Sequence, residues 1–143
     1  MSCVFCEIVV RRRPASIVYE DDVALAFMNL RQANHGHVLV IPKMHVVTVD
    51  SLPLEIAGPL FKAAVRVARA VQATFTPLGL SLWQSNGIAA GQEVPHVHIH
   101  ILPRRPGDGA IAFYQQLPPI EQQVVLDYLA SQIRCKLEED AHS

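Results

Sequence analysis

Apolar residues follow two rhythms along this chain. A short alternating or continuous one occupies residues 17–42 and 80–102, and a three-and-four one lies between them. Residues 4–10 are a brief apolar piece whose period fits helix and strand equally, ended by Arg11, Arg12, Arg13 and Pro14. Such a charge run reads as a solvated loop. Ile17–Glu20 and residues 23–29 read as two strands across an Asp21-Asp22 turn, and residues 37–42, nearly all apolar, as a third. Over residues 53–75, Leu60, Ala64, Ala68, Val71 and Phe75 recur at the spacing of one helix face. Pro59 is expected to split off a short first turn, and Thr76-Pro77-Leu78-Gly79 to end the helix. Residues 80–85 predict a fourth strand, residues 86–91 a glycine-flanked loop, and residues 94–102 a fifth strand that closes at Pro103. Pro118 and Pro119 are expected to open a last helix carrying Leu126, Leu129, Ile133 and Leu137 on its apolar face, with residues 138–143 fraying. Strands joined by short turns, then helix, strands and helix, predict an α+β fold. Its sheet is five-stranded and mostly antiparallel, with one long central helix and a C-terminal helix.

The length of 143 residues suits one domain spanning residues 1–143. Half the residues are hydrophobic and 17% are charged, which favours a packed globule over disorder. A formal net charge of −1 supplies no global basic field, so no nucleic-acid partner is expected. No apolar run approaches the roughly 20 residues of a membrane span, and the N-terminus has no charged-then-apolar signal pattern. A cytoplasmic protein without a membrane partner is therefore expected. Of the three cysteines, Cys135 stands alone in the last predicted helix. Cys3 and Cys6 form a Cys-x-x-Cys pair, which points to metal or redox chemistry ahead of a structural disulfide.

Residues 96–100 read His-Val-His-Ile-His. On a strand, His96, His98 and His100 share one face, with Val97 and Ile99 on the other. A core strand has no use for three polar tips that each need a partner. Imidazole is also the side chain best suited to act as ligand, nucleophile or proton carrier near neutral pH. Just upstream, Gly91 and Gln92 alone read as an ordinary tight turn. Beside the histidines they become a phosphate-loop candidate, because a glycine lets the backbone approach an anion and consecutive N–H groups can cradle it.

The run from Ala90 to Arg104 resembles the histidine triad family of nucleotide hydrolases and transferases. Cys3-Val-Phe-Cys6, Val18-Tyr-Glu-Asp-Asp22, Ala26-Phe-Met-Asn29 and Gly36-His-Val-Leu-Val-Ile-Pro-Lys43 with His45 match further family landmarks in order. The resemblance covers residues 3–109, leaving residues 118–138 as a C-terminal helical extension. The Cys-x-x-Cys resembles that of a bacterial branch of the family.

The resemblance implies that His98 is the nucleophile, forming a covalent nucleotidyl–histidine intermediate while the backbone carbonyl of His96 holds its other ring nitrogen protonated. It places His100 on the α-phosphate or bridging oxygens and His37 near the phosphate, and it includes His96 in the catalytic set. It assigns Cys3, Cys6, His45 and His96 to a structural zinc ion, since two thiolates and two imidazoles suit a closed tetrahedral site. No catalytic metal is required. A nucleoside pocket is implied from Phe5, Ile8 and Phe27, each of which alone reads as plain core. Asn29 stands where the family carries an acidic ribose ligand, so the charge-assisted bond is lost. The phosphate end is implied at Ser85, Asn86, Gly91, Gln92, Glu93 and Val94. Ser85 replaces an Asn or Gln, and Glu93 a Ser or Thr. An ionised Glu93 would repel phosphate; a protonated one would serve as general acid toward the leaving group; the third reading is that it points to solvent.

The resemblance thus implies hydrolysis of purine nucleoside phosphoramidates at the α-phosphate, releasing AMP or GMP, by a homodimer. Residues 60–75 and 120–137 offer apolar faces for the dimer, which intrachain packing explains equally well. A dinucleoside polyphosphate hydrolase or phosphorylase is the nearest rival, because Leu102-Pro103-Arg104 with its trailing Gly-Asp resembles the fragile histidine triad branch. A catalytically weak nucleotide-binding module is another, given Asn29, Ser85 and Glu93.

Overall fold

The computed structural model describes residues 3–111 and 116–141. The chain divides into two compact units, Met1–Ala110 and Ile111–Ser143. The first contains α1 (Val4–Val9), β1 (Ile17–Glu20), β2 (Ala24–Met28), β3 (Val38–Pro42), α2 (Leu54–Phe75), β4 (Gly79–Trp83) and β5 (Ile99–Arg104). Among the described residues the sheet is five-stranded, in the order β1-β2-β3-β5-β4, and every neighbouring pair is antiparallel. Helix α2 carries the chain from β3 to the far edge at β4, and β5 returns between them. The expected α+β architecture is the observed one.

Strands β2 and β3 are apolar throughout because both faces of the sheet are covered. Ala24, Ala26, Val38 and Val40 pack toward α2, against Leu60, Ala63, Ala64, Val67 and Val71. Leu25, Phe27, Leu39 and Ile41 face the other way, toward Phe5 and Ile8 of α1. Burial of each Leu or Val on these faces contributes roughly 1.5–3 kcal/mol. The short apolar piece at the N-terminus is a helix of 6 residues, α1, so Phe5 and Ile8 lie three apart on one face. A helix this short covers only part of its sheet face, and the uncovered part becomes a cleft.

Several boundaries differ from the sequence pattern, among them that of β4, which ends at Trp83 rather than residue 85. Pro59 sits inside an unbroken α2; so near the helix start, it deprives only the carbonyl of Glu55, in the exposed first turn, of a partner. Strand β5 begins at Ile99 rather than residue 94, because residues 94–98 are drawn off the sheet by contacts such as Val97 N–H to the Val46 carbonyl at 2.7 Å. The strand also runs through Pro103, which pairs with Leu80 of β4 while β3 has already ended, so the missing N–H breaks no ladder there. In the second unit, α3 spans Gln123–Ala141, starting beyond the proline pair and continuing through the polar residues 138–141. A Lys136–Glu139 pair at 3.1 Å supports that last stretch. Residues 142–143 lie outside the described residues, and Leu126, Leu129, Ile133 and Leu137 are exposed. No helix among the described residues is long and apolar enough to cross a membrane.

Gly36, at the entry to β3, has φ +110, and a Cβ there would lie 2.8 Å from the Phe75 ring and 2.9 Å from Pro103. Both conformation and space require glycine. Gly36→Ala is expected to cost on the order of 3 kcal/mol, from backbone strain plus overpacking. It should appear as a lower denaturant midpoint with an unchanged slope.

Candidate functional site

On the α1 side of the sheet lies a cleft of about 680 Å³. Phe5 and Ile8 of α1 and Phe27 of β2 form its apolar end, with Asn29 beyond them, and His37, Trp83, Gly91, Glu93, Val94, His98 and His100 also line it. Phe5 meets Phe27 edge-on at 5.3 Å and His98 at 5.3 Å, so one aromatic ring joins the apolar end to the histidines. The apolar candidates, Asn29 and three of the four histidines implied for catalysis thus share one cavity.

His98 is buried, and its Nδ1–H donates to the His96 carbonyl at 2.8 Å. That bond selects the tautomer in which Nε2 carries the lone pair. Burial pushes the His98 pKa below its ordinary value, although the Glu93 carboxylate pulls the other way. The His100 pKa falls to about 3, through burial and the neighbouring His98 and His37, and burial lowers that of His37 as well. At neutral pH the cleft therefore holds a row of uncharged imidazoles. His37 Nε2 lies 2.9 Å from His100 Nδ1, and the Asn29 amide nitrogen lies 3.4 Å from His37 Nε2. Trp83 stacks flat on His100, with centroids 4.2 Å apart and planes 1° apart. Sequence reading missed Trp83. The signal was present, since Trp83 is the chain's single tryptophan and lies within a predicted strand.

The loop before β5 differs in detail from the phosphate cradle expected. Gly91 takes φ +84, which favours glycine. However, the N–H groups of Gly91 and Gln92 are used inside the turn, donating to the carbonyls of Ile88 and Gly87. Those of Glu93 and Val94, the next two along the cleft wall, donate to no carbonyl among the described residues. The Gln92 side chain is buried away from the cleft, donating to the Val47 carbonyl and accepting from the Gly87 N–H, both at 2.7 Å. Asn86 is likewise engaged, accepting from the Val49 N–H and pairing with Gln84. Ser85, Asn86 and Gln92 are therefore not among the lining residues. The side chains of Asn86 and Gln92 brace the loop, giving partners to the backbone of Gly87, Val47 and Val49.

A second cluster sits behind the cleft. Cys3 at the N-cap of α1 and Cys6 within it lie three residues apart, the segment after β3 brings His45, and His96 completes the set. All four donor atoms lie within 4.8 Å of one another. Three of the four sulfur-to-nitrogen distances are 3.3–3.6 Å, and the two Nδ1 atoms are 3.2 Å apart. A tetrahedron with metal bonds of ~2.0–2.3 Å has edges of roughly 3.3–3.8 Å, so the donor set fits a zinc-sized ion. His96 is wholly buried, and its Nε2–H donates to the Pro42 carbonyl at 2.8 Å. This leaves the Nδ1 lone pair facing the cluster, the usual outer-shell device that orients a metal-binding histidine. His96 thus contributes its ring to this cluster and only its carbonyl to the row of imidazoles in the cleft.

The HIT domain family model matches residues 10–107. A crystal structure of a member of the HIT family from Bacillus subtilis has a TM-score of 0.88 and 36% identity, over 94% of this chain and 96% of that one. A Zn-bound histidine triad family protein from Mycobacterium smegmatis is similar at TM-score 0.72 and 38% identity, over 82% and 85% of the two chains. The adenosine 5'-monophosphoramidase hnt1 of Schizosaccharomyces pombe is 36% identical over 104 residues, 73% of this chain and 75% of that protein.

Proposed function

The chain belongs to the HIT domain family, and from that premise we propose that it hydrolyses purine nucleoside phosphoramidates at the α-phosphate through His98. The observation that carries this reading is the hydrogen bond from His98 Nδ1–H to the His96 carbonyl at 2.8 Å. It keeps Nε2 unprotonated in a ring that lines the cleft. The base lies among Phe5, Ile8 and Phe27, the ribose hydroxyls meet Asn29, and the phosphate meets the Glu93 and Val94 N–H groups. Nε2 attacks phosphorus, the phosphorus–nitrogen bond breaks, and the amine leaves with a proton taken from solvent. Water then attacks the nucleotidyl–histidine and gives up a proton to solvent, the bond to Nε2 breaks, and AMP or GMP is released. Cys3, Cys6, His45 and His96 hold zinc in this reading, away from the reacting atoms.

Polyphosphate cleavage is less well supported. Arg104, of the Leu-Pro-Arg run that suggested it, is held by Asp108 at 2.8 and 2.9 Å and by Ser81 at 3.1 Å, and it does not line the cleft. Rates on an adenosine phosphoramidate and a diadenosine polyphosphate, measured side by side, test the assignment. Faster loss of the polyphosphate reverses it. Tight AMP binding with no turnover of either compound leaves only a binding module.

Glu93 decides part of the rate. It is exposed and lines the same cavity as His98, where its charge opposes a substrate phosphate. Replacing Glu93 with Ser or Thr should raise kcat/KM on an adenosine phosphoramidate roughly fivefold, the effect of ~1 kcal/mol between charges a few ångströms apart in a wet cleft. A fall instead would assign Glu93 the general-acid role.

A further inference from the structure

Seven residues separate Asn29, just after β2, from His37, just before β3, and the loop between them forms one wall of the cleft. One side chain ties its two ends together. Gln32 Nε2 donates to the Asn29 carbonyl at 2.7 Å and to the His37 carbonyl at 2.8 Å. Gln32 Oε1 accepts from the Gly36 N–H at 2.9 Å and the His37 N–H at 3.1 Å. A primary amide has two N–H donors and two lone pairs, so every hydrogen bond available to this carboxamide goes to the backbone of its own loop. Three of the four partners belong to Asn29 and His37, the proposed ribose and phosphate residues.

The rest of the loop has its own anchor. Asn34 Nδ2 donates to the Pro103 carbonyl at 2.8 Å and to Asp108 at 2.9 Å. Asp108 is in turn held by Arg104, whose guanidinium keeps that carboxyl well below the usual carboxylate range. Gly36 packs against Phe75 and Pro103. These contacts fix the loop to the body of the sheet without Gln32. The Asn29 N–H also donates to the His37 carbonyl at 3.0 Å, a single bond, to which Gln32 adds three more between its own side chain and these two residues.

We infer that Gln32 is a positioning residue for nucleotide recognition, holding Asn29 and His37 at the separation that lets ribose and α-phosphate be engaged together. The inference rests on the nucleotide reading of the cleft but not on hydrolysis. It predicts that loss of the carboxamide damages discrimination for the ribose more than it damages the fold. A positional error of about 1 Å in a binding constellation is enough to cost much of its effect.

The test compares the binding of AMP and of 2',3'-dideoxy-AMP by calorimetry, in the unmodified protein and in Gln32→Glu and Gln32→Ala. The Glu variant keeps the two acceptor bonds and the shape while losing both donors. In the unmodified protein AMP should bind roughly 5–10-fold tighter than its dideoxy analogue, the worth of a hydrogen-bonded pair of hydroxyls. Both variants should bring that ratio below about twofold. Combining either with Asn29→Ala should lower the ratio of AMP to dideoxy-AMP affinity no further than Asn29→Ala alone, because coupled residues are non-additive. An unchanged ratio in a folded variant overturns the inference and leaves Gln32 a loop brace. So does the absence of any ribose preference in the unmodified protein. Should a variant fail to fold, the Gln32 side-chain NH2 resonances of the unmodified protein serve instead. They should shift more on binding AMP than on binding the dideoxy analogue, and equal shifts would count against the idea. A protein that shows the ribose preference and its loss, yet hydrolyses nothing, keeps this inference and loses the hydrolase.

Discussion

His98→Asn is expected to abolish hydrolysis of an adenosine phosphoramidate, lowering kcat by roughly 10⁴-fold or more, as loss of a covalent nucleophile does in other enzymes. AMP binding should stay within about threefold of the unmodified protein. The two effects separate because the groups proposed to bind the nucleoside, namely Phe5, Ile8, Phe27 and Asn29, do not include His98. The Asn side chain is also small enough to leave the cleft open. The unmodified protein should show a burst of released amine ahead of AMP, since the first displacement precedes attack by water. Turnover on the acid side should fall only as the pH drops below 6.5, through the depressed His98 pKa, because a protonated Nε2 has no lone pair. The direction follows from burial: it disfavours the imidazolium, so the neutral, reactive form persists to lower pH than in a free histidine. A His98→Asn protein that still turns over at more than a hundredth of the original rate would remove His98 as the nucleophile.

The alternation of histidine with β-branched residues carried its information well. Val97 and Ile101 are in the α2-side core, and Ile99 packs against it, while His98 and His100 line the cleft. The period-two logic therefore holds even where the backbone is no longer strand, at residues 96–98. Helix α2 was equally readable, because an amphipathic face 22 residues long outweighs one early proline. What sequence could not resolve was the division of labour within the loop at residues 84–94. Gln92, Asn86 and Ser85 are polar and lie in the right stretch for phosphate contact. Yet the backbone of this loop and of the neighbouring residues 47–49 needs partners first, and Gln92 and Asn86 supply them. The same competition hid Gln32, whose partners are all main-chain atoms and so leave no trace in residue spacing. Trp83 was overlooked because stacking between neighbouring strands depends on register, which one sequence does not display.

Removing the metal should reach His98 without touching it. His96 turns its Nδ1 to the Cys3, Cys6 and His45 cluster, and its carbonyl accepts the His98 Nδ1–H. One residue therefore joins the cluster to the proposed nucleophile. The purified, untagged protein is expected to contain one zinc per chain. Cys3→Ser, Cys6→Ser or extended dialysis against a chelator should remove it. Without the ion, two sulfurs and two imidazole nitrogens crowd together with no cation between them, and α1 loses its tie to residues 45 and 96. Stability should fall by on the order of 3 kcal/mol, less than the binding free energy in a zinc finger because this fold has its own core. A thermal midpoint lower by roughly 10 °C corresponds to that loss in a domain of this size. Turnover should drop about tenfold, mostly in kcat, because the His98 tautomer and orientation depend on where the His96 carbonyl lies. Restoring zinc to the chelated protein should recover the thermal midpoint and kcat together, whereas Cys3→Ser should recover neither. Metal analysis that finds no zinc, with both thiols reacting freely in the folded protein, would dismiss the metal site. Zinc loss that lowers the midpoint but leaves kcat intact would keep the site and break its connection to His98.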